Sequence, residues 1–147
     1  MTFDISDLMD EEMPFHDQLG LEVVEVGDDG GTVRMNHAEH LCGIGGSGNL
    51  HGGAISSLAD AAGGFAIIAN NEAPCPTVDL RLDYLQPATT DLVATGTIVH
   101  NGEGVGVTDI DVYDADGTLV ATGRGTFKTG GDGWDSPWFV HPSDYGK

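Results

Sequence analysis

Apolar and polar residues alternate along much of this chain, and one long stretch breaks the alternation. The pattern predicts strands over residues 21–26 and 31–37, separated by the turn Gly27-Asp28-Asp29-Gly30. Residues 77–85 alternate strictly, with Val78, Leu80, Leu82 and Tyr84 on one face and Thr77, Asp79, Arg81 and Asp83 on the other. Three more strands are expected over 92–100, 105–113 and 118–128, with Asn101-Gly102 and Asp116-Gly117 as the hairpin turns between them. Residues 52–70 behave differently. Ile55, Leu58, Ala62, Phe65 and Ala69 recur at helical spacing, and Ala54, Ala59, Ala61 and Ala66 widen their stripe. This predicts a helix roughly 28 Å long at ~1.5 Å per residue, wrapped by protein on most sides. Ser56, Ser57, Asp60, Gly63 and Gly64 form a second stripe of small residues around one acid. A short amphipathic helix carrying Ile5, Leu8 and Met9 is expected within residues 3–19, cut by Pro14.

The expected order is strand, strand, buried helix, then four antiparallel strands. One sheet curled around one apolar helix satisfies it, an α+β arrangement whose edge strands favour edge-to-edge pairing of two subunits. No internal repeat divides the chain. Its 147 residues suffice for one domain with a real core. Residues 14–128 carry the patterned domain, after an acidic segment over 1–13 and before a Gly-rich, aromatic tail over 129–147. In that tail Trp134, Trp138 and Phe139 read as a patch that docks on this domain or on a neighbouring subunit.

Composition narrows the setting. Asp and Glu number 24 against 5 Lys and Arg, a net charge of −19. Such a field repels nucleic acid and anionic membranes, and so few cations leave no basic reading element. The acids are dispersed through patterned segments rather than gathered in a tail, which suggests a protein suited to high salt, where the self-repulsion is screened. The longest apolar run, 61–69, is broken by Gly63 and Gly64, so no membrane span is expected. The N-terminus lacks the basic start and apolar core of a signal peptide, which points to a cytoplasmic address. Cys42 and Cys75 fit no metal or redox spacing, and His37 and His40 have no third ligand in view, so no metal site is expected.

The chemistry concentrates in Asn49-Leu50-His51-Gly52-Gly53-Ala54-Ile55-Ser56-Ser57-Leu58-Ala59-Asp60. A Gly-rich loop delivers His51 and two glycines to a helix start, where free backbone N–H groups suit a developing oxyanion. Without Cβ atoms, Gly52 and Gly53 let a carbonyl come close to the backbone. Asp60 lies two and a half turns on, and a carboxylate buried there needs a partner or a role. His51 and Asp60 are separated by roughly 13.5 Å along the axis and about half a turn. One chain's pair therefore cannot meet at one bond, whereas two antiparallel helices across a two-fold axis bring His51 and Gly53 of one chain near Asp60 of the other.

With PFHDQLGLEVVEV before it and TVDLRLDYLQPA after it, HGGAISSLADAAGG resembles the PaaI-like branch of the hotdog thioesterase superfamily over residues 14–128. The resemblance implies an antiparallel sheet wrapped around one long central helix, and hydrolysis of an acyl-CoA thioester to free acid and CoA. It implies that the Gly53 N–H polarises the carbonyl, that His51 shapes the loop and contacts the acyl carbonyl, and that the partner's Asp60 acts as general base or nucleophile with Thr77 orienting it. Asn49, Gly52, Tyr84, His100, Asn101 and Gly102 fall where relatives border the substrate. It also implies a homodimer, commonly paired into a tetramer, and no cofactor beyond the CoA of the substrate. Two departures stand out. Gly45 occupies the position where relatives often carry Asn, leaving Asn49 as the substitute. Arg81 and Arg124 are the only basic candidates for the CoA phosphates. A hotdog hydratase or dehydratase, or a non-catalytic acyl-CoA-binding hotdog protein, is the alternative, and release of free thiol from acyl-CoA separates them.

Overall fold

A computed structural model of the chain describes residues 13–131. The expectations for Ile5, Leu8 and Met9 and for Trp134, Trp138 and Phe139 lie outside those residues. The chain enters through α1 (Pro14–Leu19), which starts on the proline and stops at Gly20, left-handed at φ 67°. Such a backbone suits a residue without Cβ. Strands β1 (Leu21–Gly27) and β2 (Gly30–Met35) form the first hairpin. β2 ends two residues earlier than the pattern predicts, because the His37 N–H turns away to Asp91 Oδ1 at 2.7 Å.

The long helix α2 (Gly52–Asn71) follows, then β3 (Thr77–Tyr84), β4 (Leu92–Asn101), β5 (Val105–Asp114) and β6 (Leu119–Lys128). All pairings are antiparallel, and the strands lie in the order β1-β2-β4-β5-β6-β3. This is the hotdog arrangement, with one helix against a six-stranded sheet whose edges are β1 and β3. By composition α2 would also suit a bilayer, with a mean hydropathy of 1.3 over 18 residues, but 61% of that stretch is buried in this domain. Its apolar residues serve the core.

The helix sits close to the sheet because side chains are missing on both. Gly31 on β2 is paired with Gly96 on β4. A Cβ on Gly96 would lie 2.7 Å from the Ala62 carbonyl oxygen and 2.8 Å from Gly63 Cα, and one on Gly63 would lie 2.5 Å from Thr108 Oγ1. Gly63 and Gly64, from the stripe of small residues, let α2 rest on Thr108, Ile110 and Phe127.

On β3 the alternation holds only in part. Leu80 and Leu82 pack against the core, whereas Val78 and Tyr84 are 44% and 50% exposed. The register slips between Thr77 and Asp79, which turns Val78 outward on the sheet edge.

Candidate active site

The loop before α2 is stitched by its own backbone. Cys42 bridges to Leu50, the Gly43 N–H donates to the Asn49 carbonyl, and the His51 N–H donates to the Leu41 carbonyl at 2.8 Å. Gly46 and Gly48 take positive φ, and the Glu39 carboxylate accepts the Gly46 N–H at 2.7 Å. Asn49 holds this loop through backbone atoms, and Gly45 is exposed. The result fixes His51 as the N-cap of α2.

At that cap the Gly53 N–H donates to the ring of its own His51, reaching Nδ1 at 2.7 Å. The expectation of a free Gly53 donor is therefore not met. A Cβ on Gly53 would come within 2.9 Å of the same Nδ1, so the missing side chain makes room for the imidazole rather than for a ligand. The next two N–H groups, of Ala54 and Ile55, go to the His51 carbonyl. The Gly52 N–H has no acceptor among the described residues, and it is the open donor of the first turn. Tyr84 lies across this turn. Its hydroxyl donates to the Gly52 carbonyl at 2.9 Å and is hydrogen-bonded to Ser56 Oγ. Placed by the resemblance at the edge of the CoA, Tyr84 is tied to the helix start of its own chain.

Asp60 is half-buried in the middle of α2 and has a partner. Thr77 Oγ1 donates to Asp60 Oδ1 at 2.7 Å, within one chain. Beside them opens a pocket of about 170 Å³ whose lining includes His16, Asp60, Phe65, Cys75, Thr77 and Phe127. Burial pushes the Cys75 thiol up to about 11, so it stays protonated there.

Sequence reasoning gave His16 no role, yet α1 brings it to this pocket. Its ring packs edge-on against Phe65 with centroids 5.8 Å apart. Burial lowers its pKa, and the charges of Asp60 and Asp17 oppose that shift. The signal was faint in the sequence because His16 and Asp60 are 44 residues apart and no periodicity links them.

Other expected residues lie elsewhere. Asn101 Oδ1 accepts from Asn71 Nδ2 at 2.9 Å, which puts the His100-Asn101-Gly102 turn at the opposite end of α2 from His51. Arg81 pairs with Asp83 at 3.3 Å and Arg124 with Asp109 at 2.8 Å, in a concavity on the sheet face turned away from α2. Both guanidiniums are thus engaged by carboxylates within the chain. His37 Nε2 meets the Gly48 carbonyl at 2.8 Å and His40 Nε2 the Gln18 carbonyl at 2.9 Å, so both imidazoles hold loops.

The profile of the thioesterase superfamily matches residues 47–121, which span the cap, α2, β3, β4, β5 and the start of β6. A Halobacterium salinarum protein that bears the name of an esterase is 39% identical over 124 residues, 75% of this chain and 80% of that protein. The acyl-coenzyme A thioesterase PaaI of Escherichia coli is 30% identical over 110 residues, 73% of this chain and 76% of that protein. The solved structure of Escherichia coli PaaI superposes with a TM-score of 0.77 at 26% identity, covering 86% of this chain and 91% of that one.

Proposed function

The chain belongs to the thioesterase superfamily, in its PaaI-like hotdog branch, and from that premise we propose that it hydrolyses acyl-CoA thioesters with Asp60 as the general base. The observation that carries the reading is the Thr77–Asp60 hydrogen bond at the mouth of a pocket. Thr77 holds one carboxylate oxygen, and the other is left to take a proton from water. That water attacks the thioester carbonyl. The oxyanion that forms meets the helix N-terminus, where the Gly52 N–H is the open donor and His51 stands beside it. Collapse of the intermediate breaks the C–S bond, and the CoA thiolate leaves with the proton that Asp60 had taken.

The two halves of this chemistry sit nine residues apart on one rigid helix, roughly 13.5 Å at ~1.5 Å per residue. A homodimer answers that separation, with the cap of one chain set against Asp60 of its partner. The unpaired edge of β3, with Val78 exposed on it, supports pairing there. His100, Asn101 and Gly102, remote from the cap within one chain, are then candidates to border substrate held at the partner's cap.

The test is Asp60→Asn, which keeps size and removes the base. Turnover of acyl-CoA, read as thiol release, falls at least ~10²-fold with the fold and dimer intact. Near wild-type hydrolysis by the folded variant refutes the assignment. Mixing His51→Ala with Asp60→Ala chains regains activity by restoring one intact site per mixed dimer. An absence of regain refutes the shared site.

A further inference from the structure

The peptide unit between Gly52 and Gly53 is held from both sides. Its carbonyl accepts the Tyr84 hydroxyl at 2.9 Å, and its N–H donates to His51 Nδ1 at 2.7 Å. Flanked by two residues without Cβ, this is the unit in the first turn with the least steric resistance to rotation. The tyrosine ring lies against it as well, since a Cβ on Gly52 would meet Tyr84 Cε1 and Cζ at 3.4 Å. Ser56, one helical turn on, binds the same hydroxyl and keeps it over the helix start.

From this geometry we infer that Tyr84 is a positioning residue for His51, acting through the Gly52–Gly53 peptide. A backbone N–H is only ever a donor, so the nitrogen it meets must be the unprotonated one. Gly53 therefore fixes His51 as the tautomer with its proton on Nε2. The chain of bonds runs from the Tyr84 hydroxyl through the Gly52 carbonyl and the Gly53 N–H to Nδ1, and each bond polarises the next. Its outcome is an exposed imidazole whose remaining nitrogen is a donor aimed away from the helix. A neutral donor at the cap suits a carbonyl oxygen that is gaining negative charge. Tyr84 touches no substrate in this account.

The inference gives the tyrosine a task within the proposed hydrolysis, and it rests on that reading for its catalytic consequence alone. The tautomer is measurable without any substrate. In protein labelled with ¹⁵N-histidine, at a pH above the imidazole titration range, long-range ¹H–¹⁵N correlation should find His51 with Nε2 protonated and Nδ1 bare. A predominant Nδ1–H form in the wild type overturns the inference, whatever the enzyme hydrolyses. Tyr84→Phe keeps the ring and removes the hydroxyl. In it the two nitrogen shifts should move toward each other as the tautomers mix. Turnover should fall ~5–10-fold, the change one hydrogen bond carries, with KM within about twofold. Unchanged nitrogen shifts in a folded Tyr84→Phe chain overturn the inference, even if its melting point drops, because that result marks the tyrosine as a structural clamp only. A failure of Asp60→Asn to lose activity would instead strike the hydrolytic reading and leave the tautomer result standing.

Discussion

The Thr77 hydroxyl reaches Asp60 Oδ1 across 2.7 Å and ties the edge strand β3 to the middle of α2. A hydrogen bond to a charged acceptor is worth about 1.5–3 kcal/mol, so its loss should be felt in turnover without abolishing it. Thr77→Val, which keeps the shape and removes the donor, is expected to lower kcat by about 10-fold or somewhat more. Thr77→Ser should keep most of the wild-type rate. Steady-state thiol release decides it, and a Thr77→Val enzyme as fast as the wild type would sink the role given to Thr77.

His16 should report on Asp60. Burial lowers its pKa below the ordinary 6.5, and the negative charges of Asp60 and Asp17 are what hold it up. Removing one of those charges in Asp60→Asn should move the His16 midpoint lower still, as an NMR titration of the ring would read. The sign for stability follows. The unfolded chain takes up a proton as pH falls through 6.5, while the folded chain resists until a lower pH. This contribution is complete above that value and is lost as pH falls through the folded midpoint. Urea midpoints between neutral and mildly acid pH should fall less steeply in His16→Gln than in the wild type. An equal slope in the two would contradict the burial.

The charge predicts a salt requirement. Against 24 acids the chain has 5 Lys and Arg, and the ion pairs among the described residues, Arg34–Glu22, Arg81–Asp83 and Arg124–Asp109, are all surface pairs of little worth. At molar KCl the screening length is ~3 Å, and at 0.1 M it is ~10 Å. We propose that the protein is suited to high salt, and its melting point should fall steadily across that range. A melting point that does not move rules out the proposal.

Gly96 should tolerate no side chain. A methyl there meets the Ala62 carbonyl oxygen and Gly63 Cα, both backbone atoms that cannot swing aside. Gly96→Ala should cost about 1–3 kcal/mol by overpacking and lift α2 from the sheet. Gly27→Ala, where a Cβ would find nothing within 4 Å, is the control. Chemical denaturation of the two variants makes the comparison, and equal stabilities would show that the helix seat has slack.

The helix and the strands were legible because periodicity records which face is buried. Ile55, Leu58 and Phe65 are all buried where their spacing put them. Val78 was misread because alternation cannot announce a bulge, and the bulge depends on how β3 meets β6. HGG and Asp60 stood out by spacing along one helix. Which N–H is free at the cap was not legible, since it turns on the rotamer of His51. The Arg124–Asp109 pair was hidden for a related reason: it forms between β6 and β5, whose register the sequence does not state. His16 joins the pocket only through the packing of α1 on Phe65.

The strand that holds Thr77 is also an edge of the sheet, with one row of backbone groups open. Proteins commonly guard such edges against runaway association with a proline, a strong kink or a charge turned inward. Here a proline or an inward charge would disturb Leu80 and Leu82 in the core or the Thr77 and Tyr84 bonds at the two ends of the strand, and the register slip is confined to Val78. The guard is left to Asp79, Arg81 and Asp83, all exposed on the outer face. The surface charge and the bonds that tie the strand to α2 are therefore written on opposite faces of the same eight residues, so that a substitution made for one face leaves the other in place.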